Sequence, residues 1–366
     1  MRFRYSAEEN GSLVKKALVY TQDEHKINYH DVDSHAVYIT ERLQANGFET
    51  YIVGGAVRDL ILGKKPKDFD IVTAASPGRI KKIFRNARVI GRRFRLVHVF
   101  FDKKIIEVST FRSTKDGPTS NTFGTIEEDV LRRDFTLNAL FYDPLKQLVI
   151  DYVGGMEDIR KGVIRPLIAL PHIFTDDPVR IIRAVKYAAM TGFKLPFSLK
   201  RMIRKHSCLL ADVSPSRLTE EIFKIIYSSE ALKIVEALDN LKIYDYLQPK
   251  AVELFKTLPG FREVYLKTFA ALGSEDSKNL PGKALSCLVK DYLERTVDWQ
   301  GSEGPAEAYR SAFILARKFV LPMNPPRVEL EHALKIVFLE HGLAVRRARL
   351  NERRRRKPKN SAVTVT

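Results

Sequence analysis

A change in the hydrophobic pattern near residue 160 constrains the fold of this 366-residue chain more than any other feature. Before it, a helix is predicted from Asp33 to Gly47, and short β-rich runs bounded by glycine alternate with short helical stretches. After it, the β signals fade and apolar residues recur at helical spacing, as in Val179, Ile182 and Val185. The sequence therefore predicts an α+β protein, in which a head with a mixed sheet precedes an all-helical neck and body.

The same pattern predicts five consecutive segments. Residues 1–25 are polar and aperiodic, which predicts a flexible lead-in, and the last stretch is strongly basic, with nine Lys or Arg and one acid in residues 346–359. Such a charge run is typical of chain that is disordered when unbound. The predicted limits are a lead-in at 1–25, an α/β head at 26–160, a helical neck at 161–235, a helical body at 236–345 and a disordered basic tail at 346–366.

The overall charge predicts a polyanionic partner. The formal net charge is +18 with a pI near 9.7, which favours nucleic acid or acidic lipid. Cys208 and Cys287 are too few for a disulfide framework or a Cys-rich zinc site. The first thirty residues contain no apolar signal segment, and no run approaches the roughly 18 apolar residues of a spanning helix. We therefore expect a cytoplasmic protein with nucleic acid, and no membrane, as its partner.

Two carboxylates suggest a metal site. Asp68 and Asp70 flank Phe69 in a strand-like run, and because strand side chains alternate, both should project from one face. Mg²⁺ prefers carboxylate oxygens together with substrate phosphates, and a pair of such ions suits nucleotidyl transfer. The spacing alone is not specific, since Asp31 and Asp33 repeat it before a helix, where capping is the ordinary explanation.

The surroundings of this pair strengthen the interpretation. Gly54 and Gly55 join a predicted strand to a helix start, so their backbone N–H groups could receive a triphosphate, with Arg58 one turn further on. A plain turn is the alternative for a glycine pair. Glu107 lies among apolar residues of a predicted strand, where a charge needs a partner or a metal. It is either a third metal carboxylate or an ion-pair partner of an arginine such as Arg112.

Five motifs occur in order along the chain. They read YIVGGAVRDLILGKKPKDFDIVTAASP, IIEVSTFR, RRDFTLNALFYD, DYVGGMEDIRKGVIR and DDPVRIIRAVKYA. Together they resemble the class II nucleotidyltransferases, the family of tRNA CCA-adding enzymes and bacterial poly(A) polymerases, over residues 30–230. The resemblance implies a nucleotidyltransferase head like that of DNA polymerase β. It also implies template-independent addition of nucleotides to RNA 3′ ends, with two Mg²⁺ ions as cofactors and ATP as substrate.

The resemblance also assigns roles to individual residues. It implies metal ligation by Asp68 and Asp70, and triphosphate contacts by Gly54, Gly55 and Arg58. The motif that contacts ribose and phosphate is matched by Arg132, Arg133, Asp134 and Asn138, which would otherwise read as a charged turn. The base-reading pair is matched by Asp177 and Arg180, with Arg183 behind them. Family members usually carry Glu where this chain has Asp176, so the role of that residue stays open.

A carboxylate and a guanidinium can read a base from its pairing edge. Asp177 and Arg180 are three residues apart, so on one helix they would share a face, with an exposed salt bridge as the alternative. The carboxylate accepts from the exocyclic amine of adenine or cytosine, and the guanidinium donates to the ring nitrogen. Guanine and uracil would leave polar groups unpaired, at about 1 to 3 kcal/mol each. The pair should reject G and U but not separate A from C.

Residues 89–99 are the most informative segment for deciding between poly(A) and CCA addition. This segment, VIGRRFRLVHV, resembles the signature of the poly(A) polymerases, as does the upstream HKINYHDVDSHAV. A β-strand with a basic edge is the structural alternative, and His98 is expected to be a packed strand residue. The basic tail suits an enzyme that attracts RNA phosphates without regard to sequence. The segment predicts AMP addition, with CCA or A addition to tRNA as the alternative.

Other classes remain to be separated from this one. The His30-Asp31 pair precedes the predicted catalytic segment, so a fused HD hydrolase is not expected. An inactive RNA-binding homologue would not need both the acid pair and the base-reading pair. Antibiotic nucleotidyltransferases share two-metal chemistry but not a long helical, basic second half.

Overall fold

The computed structural model describes residues 2–7, 13–91, 95–102, 104–113, 122–272, 280–299 and 304–343. The basic tail that begins at residue 346 and the Arg92 to Phe94 part of the predicted poly(A) signature lie outside these residues. The chain forms two compact units. The first comprises Met1–Val213 and Asn240–Lys242, and the second comprises Ser214–Asp239 and Ile243–Thr366.

A nine-stranded sheet forms the centre of the first unit. Its order is β1-β2-β9-β8-β3-β4-β7-β6-β5, in which β4 and β7 are parallel and the other neighbours are antiparallel. The strands are β1 (Arg2–Ala7), β2 (Leu13–Tyr20), β3 (Thr50–Val53), β4 (Asp70–Thr73), β5 (Ala87–Ile90), β6 (Leu96–Phe101), β7 (Lys104–Thr110), β8 (Leu140–Asp143) and β9 (Leu148–Asp151).

Helices alternate with the strands in the first unit and make up the rest of the chain after β9. Those of the first unit are α1 (Gln22–His25), α2 (Ser34–Ala45), α3 (Gly55–Ile61), α4 (Pro77–Ile83), α5 (Ile126–Leu131), α6 (Gly155–Lys161), α7 (Leu170–Asp176), α8 (Val179–Thr191) and α9 (Phe197–His206). Later in the chain come α10 (Pro215–Ile226), α11 (Ala231–Asn240), α12 (Tyr244–Leu247), α13 (Pro249–Thr257), α14 (Phe261–Leu272), α15 (Pro281–Thr296), α16 (Pro305–Phe319) and α17 (Arg327–Glu340). The α+β class and the helical second half are therefore confirmed.

The prediction of a flexible lead-in at residues 1–25 is wrong for its described part. Strand β2 pairs with β9, with Leu18 opposite Asp151, and β1 extends the sheet from β2. Ala17 and Tyr20 are buried against the sheet. The sequence looked polar because β1 is an exposed edge strand, where one row of hydrogen bonds and half of the side chains face solvent.

The predicted boundary at residue 160 also differs from the observed division after Val213. Backbone contacts tie the segment after the sheet to the head. Phe135 bridges to Pro166, and the N–H of Ile164 donates to the carbonyl of Lys194. These long-range contacts connect residues 164–166 with Phe135 and with Lys194, whereas hydrophobic periodicity along the sequence records only the local change from strands to helices.

The local elements that carry the acid motifs follow the predicted pattern. Helix α2 begins after Asp33, whose side chain accepts hydrogen bonds from the N–H groups of His35 and Ala36. The capping explanation for the Asp31 and Asp33 spacing is therefore confirmed for Asp33. The strand and the helix predicted on either side of the glycine pair form as β3 and α3, and the strand predicted around Glu107 forms as β7.

The sheet core brings the two central motifs to one edge. All of β3 is buried, and Ile52, Ile71 and Val108 are completely inaccessible to solvent. Val53 at the end of β3 pairs with Asp70 at the start of β4, which in turn lies in register with Glu107 of β7. The packed strands therefore fix the backbone at the point where β3 ends and β4 begins.

The second unit is built from helices around an aromatic core. Phe261, Phe319 and Phe338 are fully buried, and the hydroxyl groups of Tyr244 and Tyr265 form a 2.9 Å hydrogen bond. Across the described ranges, no helix combines the length and the apolar character that crossing a membrane requires.

Candidate active site

The predicted metal carboxylates lie at the edge where β4 begins. Asp68 and Asp70 are exposed, and Phe69 between them is buried. The strand itself starts at Asp70, so Asp68 lies in the preceding segment rather than inside the strand. The alternation nevertheless extends over both residues, because the buried Phe69 ring turns its two neighbours toward solvent.

Gly54 places open backbone beside one of these carboxylates. Its φ of +73° and ψ of −136° belong to a region that residues with a Cβ rarely adopt. A Cβ at this position would lie 3.8 Å from Oδ2 of Asp70. Gly55 begins α3 directly afterwards, so the strand-to-helix turn and the acid pair are neighbours in space, as the sequence predicted.

Glu107 lies beside Asp70 in the sheet but is directed to a different partner. The two residues are in parallel register on β7 and β4. The Oε2 atom of Glu107 is 3.6 Å from Nε2 of His98 on β6. Within those residues, no group of three or more His, Cys, Asp or Glu side chains is arranged to hold a metal ion. The role of Glu107 as a third metal carboxylate stays a prediction.

The donors at this edge suit a hard divalent cation. Asp68 and Asp70 offer exposed carboxylate oxygens, and the glycine turn next to them leaves room for phosphate oxygens and water. Mg²⁺ is bound in this way, through one or two carboxylates and substrate phosphates, rather than in a closed protein cage. The residues present therefore fit Mg²⁺.

Arg58 is buried instead of facing an open site. Its side chain is 4% exposed, and it donates through Nη1 to Oδ1 of Asn138 at 2.9 Å. Nε and Nη2 each lie 2.8 Å from Oδ1 of Asp59. The guanidinium also lies 5.2 Å from the ring centroid of Tyr187 on α8. The triphosphate contact of Arg58 that the resemblance implied stays a prediction.

The hydrogen bonds continue from Asn138 into the next motif. Nδ2 of Asn138 donates to Oδ1 of Asp134 at 3.3 Å, and the same oxygen accepts the N–H of Phe135 at 2.8 Å. Nη1 of Arg183 lies 3.9 Å from the other carboxylate oxygen of Asp134. Side chains from three separate motifs are thus joined in one network between α3, the 3-10 turn Thr136–Asn138 and α8.

The arginines of the RRD motif have different environments. Arg133 forms an ion pair with Asp129 at 2.8 Å and donates to the carbonyl of Asn138 at 3.2 Å. Arg132 donates to the carbonyl of Ser113 at 3.1 Å. Burial lowers the pKa of Arg132, and the positive charges of Arg112 and Arg180 lower it further. A bound anion would relieve this repulsion, which makes the arginine group a suitable contact for phosphate.

The base-reading pair differs from the predicted geometry. Asp177 is not on the helix that contains Arg180, because α7 ends at Asp176 and α8 begins at Val179. Pro178 disfavours a helical conformation of the residue before it, and Asp177 is extended with φ −150°. Its Oδ1 accepts the N–H of Val179 at 3.2 Å. The prediction of two residues on one helix face is therefore wrong for Asp177.

Arg180 nevertheless remains close to the acids of this motif. Burial is the main influence on its pKa and lowers it, while the charges of Asp177 and Asp134 act in the opposite direction. The side chain is 7% exposed, and Nη1 donates to the carbonyl of Ile173 at 3.2 Å. The alternative of an exposed salt bridge does not fit a buried guanidinium.

Three residues of the site were not identified from the sequence. Asp59 and Tyr187 complete the surroundings of Arg58, and Asp129 binds Arg133. The pair of Asp129 and Arg133 was detectable, since acid and base four residues apart on a helical stretch commonly interact. The contact between Arg58 and Tyr187 joins positions far apart in the chain and has no such local signal.

Comparison with known proteins places this geometry in a family. Residues 50–165 match the model of the poly A polymerase head domain. Residues 192–254 match a model described as a probable RNA and SrmB-binding site of polymerase A. The first match contains the acid pair and the RRD motif.

Individual relatives from the same group of enzymes are similar in sequence. The chain is 41% identical over 254 residues to poly(A) polymerase I of Salmonella typhi, a match covering 65% of this chain and 54% of that protein. It therefore spans little more than half of that relative's length. The chain is also 31% identical over 329 residues to the CCA-adding enzyme of Bacillus pumilus, covering 84% of this chain and 80% of that enzyme.

A solved structure supports the assignment of the fold class. The Bacillus stearothermophilus CCA-adding enzyme in complex with CTP superposes with a TM-score of 0.55 at 26% identity, covering 83% of this chain and 82% of that one. Together with the carboxylate pair beside the glycine turn, these similarities establish the family. The chain belongs to the nucleotidyltransferases that include the poly(A) polymerases and the CCA-adding enzymes.

Proposed function

We propose that this protein transfers AMP from ATP to the 3′ end of RNA without a template. The observation that carries this proposal is the position of the Asp70 carboxylate against the backbone of Gly54. The Asp70 carboxylate can bind a divalent cation, and phosphate can approach the backbone of Gly54 closely. The geometry therefore suits the polyphosphate of a nucleotide.

In the proposed reaction the RNA 3′-hydroxyl attacks the α-phosphate of ATP in line with the leaving group. The hydroxyl loses its proton to solvent as a new bond forms between the 3′-oxygen and the α-phosphorus. The bond between the α-phosphorus and the oxygen that bridges to the β-phosphorus breaks, and pyrophosphate departs. Two Mg²⁺ ions bound by Asp68 and Asp70 would lower the pKa of the hydroxyl and neutralise the pyrophosphate. Glu107, in register with Asp70, is the candidate for a further carboxylate at this edge.

Positive side chains supply the remaining phosphate and ribose contacts. Arg132 lies near Arg112 and Arg180, and this group attracts the polyphosphate. Asp134 and Asn138 lie in the network behind it, where Asn138 also anchors Arg58. The network orients the turn and the helix that face the nucleotide, which is how enzymes hold reacting groups in line.

Selection of the base is assigned to Arg180 and Asp177. Because Arg180 is buried and bound to the carbonyl of Ile173, its guanidinium is fixed before the nucleotide arrives. A fixed donor beside a carboxylate accepts adenine or cytosine and leaves groups of guanine or uracil unpaired. This pair defines a preference for ATP and CTP over GTP and UTP.

Adenylation is favoured over CCA addition by the higher identity to a poly(A) polymerase, 41% against 31% for the CCA-adding enzyme of Bacillus pumilus. The second candidate, CCA addition, is favoured by the much larger share of that enzyme that the chain covers. Residues 92–94, which are part of the predicted poly(A) signature at 89–99, are not among those that the structure describes. The proposed setting is RNA polyadenylation in the cytoplasm.

The test supplies the purified protein with Mg²⁺ and with either ATP or CTP. Two acceptors are compared, an A-rich oligoribonucleotide and a tRNA that lacks its terminal CCA. Long ATP-dependent tails on both acceptors support the proposal. Addition of C, C and A to the tRNA followed by arrest supports the second candidate. No metal-dependent incorporation with any acceptor would indicate an inactive RNA-binding homologue.

A further inference from the structure

Strands β5, β6 and β7, at one end of the sheet, leave one of their two faces open to solvent. The side chains directed to the other face are apolar and at most 1% exposed, namely Val97, Val99, Ile106 and Val108. The alternate residues Arg88, His98, Phe100 and Ile105 project to the open side, where each is exposed or half-buried. These four residues are called the β5–β7 face below.

A row of paired residues joins the β5–β7 face to the candidate active site. Asp70 of β4 is in register with Glu107 of β7. Glu107 pairs in turn with His98 of β6, and His98 pairs with Arg88 of β5. Partners in register project from the same face of a sheet, and neighbouring strands lie about 4.8 Å apart. The row is therefore roughly 14 Å long, which is space for about four stacked nucleotides at roughly 3.4 Å each.

The outer end of the row carries a cation on an aromatic ring. The guanidinium carbon of Arg88 lies 5.3 Å from the ring centroid of Phe100, and the ring of His98 lies 6.3 Å from that of Phe100. Ile105, opposite Phe100 on β7, is 53% exposed. Arg88 is exposed and forms no ion pair with any residue in the described ranges. A guanidinium held on a ring is a surface on which an unpaired base can stack, while its charge attracts phosphate.

The segment that forms this end of the sheet is basic throughout. Residues 71–101 contain eight Lys or Arg and no Asp or Glu. Six of these cations lie in the described ranges and form no ion pair there, namely Arg79, Lys81, Lys82, Arg85, Arg88 and Arg95. The inner end of the row consists instead of the carboxylates of Asp70 and Glu107. Phosphates of a nucleic acid are therefore attracted to the outer end and repelled by the carboxylates at the inner end.

We propose that the β5–β7 face binds the single-stranded 3′ segment of the RNA acceptor. The reacting 3′ end lies at Asp70, and the preceding nucleotides extend across β7 and β6 to Arg88, which contacts a phosphate and stacks on a base together with Phe100. This inference rests on the proposed function, which identifies RNA as the acceptor. The charge difference along the row sets the direction of the strand. These contacts do not depend on base identity, which suits an acceptor of varied sequence.

The phosphate contact is tested by RNA affinity in the absence of ATP. Arg88→Ala should bind a fluorescent A-rich oligoribonucleotide about fivefold or more weakly at low salt. The slope of log K against log salt should become shallower by about 0.7, the contribution of one phosphate contact on a single strand. The matched control is Arg2→Ala, since Arg2 is an exposed arginine on β1, the strand at the opposite edge of the same sheet. An equal loss in the two variants would overturn the proposal, because the attraction would then follow net charge alone.

Stacking is tested separately at Phe100. Phe100→Leu keeps an apolar side chain but removes the ring, so RNA affinity should fall about fivefold or more, whereas Phe100→Tyr should retain it. The control is Phe3→Leu on β1, because the ring of Phe3 also has a cation over it, with Nζ of Lys15 3.8 Å from its centroid. Full affinity of Phe100→Leu, or an equal loss in Phe3→Leu, would contradict stacking at this face.

The nucleotide is the alternative occupant of the β5–β7 face. Equilibrium dialysis with ATP and Mg²⁺, in the absence of RNA, should give the same affinity for the wild type, Arg88→Ala and Phe100→Leu. Weaker ATP binding in these variants together with unchanged RNA affinity would overturn the proposal and assign the face to the nucleotide.

The RNA affinities separate this inference from the proposed function, because binding is measured without catalysis. A wild-type protein that transfers no AMP would contradict the proposed function, while the affinities still test the β5–β7 face. Unchanged RNA affinity in both Arg88→Ala and Phe100→Leu would overturn the inference even if AMP transfer is observed. In an active protein, Arg88→Ala should raise KM for RNA about fivefold and leave KM for ATP unchanged. Circular dichroism of each variant establishes that it is folded.

Discussion

Replacing Arg58 by methionine tests whether this arginine positions the site or contacts the nucleotide. Methionine preserves the volume of the buried stem but removes the charge and the donors. Oδ1 of the buried Asn138 then loses its donor, at about 1 to 3 kcal/mol. Loss of the partly exposed pair with Asp59 adds up to about 1 kcal/mol, and loss of the contact with the Tyr187 ring adds about 1 kcal/mol.

The expected total for Arg58→Met is a loss of about 4 kcal/mol in the free energy of unfolding of the first unit. For a unit of this size the melting temperature should fall by about 10 °C. Calorimetry and urea unfolding followed by far-UV circular dichroism are suitable assays. Tryptophan fluorescence is not, because the one tryptophan of the chain, Trp299, belongs to the second unit.

The control is Arg79→Met on α4, an exposed arginine whose replacement should change stability by no more than about 0.5 kcal/mol. A double-mutant cycle with Asn138→Leu should show a coupling of about 1 kcal/mol or more, since the two residues share a hydrogen bond. The positioning role would be refuted by a stability loss below about 1 kcal/mol together with a large increase in KM for ATP. That combination would mark Arg58 as a direct nucleotide contact.

Three further predictions follow from the same geometry. Asp70→Asn should leave less than about 1% of AMP transfer with an unchanged melting temperature, because the side chain is exposed and serves the cation; retained activity or a large loss of stability would contradict its assignment. Gly54→Ala should lower the free energy of unfolding by about 1 to 3 kcal/mol through backbone strain and should also reduce AMP transfer. The control Gly47→Ala, at φ +81° with nothing near its Cβ, should lower stability alone. Equal rates of AMP transfer in the two variants would show that the Gly54 turn is not part of the site. Burial lowers the pKa of His25, so the stability that depends on its neutral form is present above the unfolded pKa near 6.5 and is lost as the pH falls below that value. His25→Gln should therefore flatten the loss of stability between pH 7 and pH 5. An unchanged dependence of stability on pH would contradict this role of His25.

Local sequence patterns identified the features of the site that depend on neighbours in the chain. The acid pair at Asp68 and Asp70 follows from the two-residue period of extended chain, and Phe69 is buried between them as that period requires. The glycine turn was also detectable, because only glycine readily adopts the conformation observed at Gly54. These features could be predicted because they depend on backbone geometry within a few residues.

Predictions that depended on distant partners were less successful. Residues 1–25 looked like loose chain, and only the pairing of β2 with β9 makes their described part a component of the sheet. Arg58 was predicted to contact phosphate because an arginine after a glycine pair offers donors at a helix start, and that contact stays a prediction. The burial of Arg58 against Asn138 and Tyr187, 80 and 129 positions away along the chain, could not be read from that local pattern.

The sequence alone determined the order of elements, the acid pair, the glycine turn and the positive charge of the chain, because each depends on local conformation or composition. Tertiary structure alone decided which of these groups meet. The sheet register places Glu107 beside Asp70, and the packing of α8 against α3 and the RRD turn buries Arg58 and Arg180. Burial and ion pairing depend on which surfaces pack together, and the period of a single segment does not contain that information.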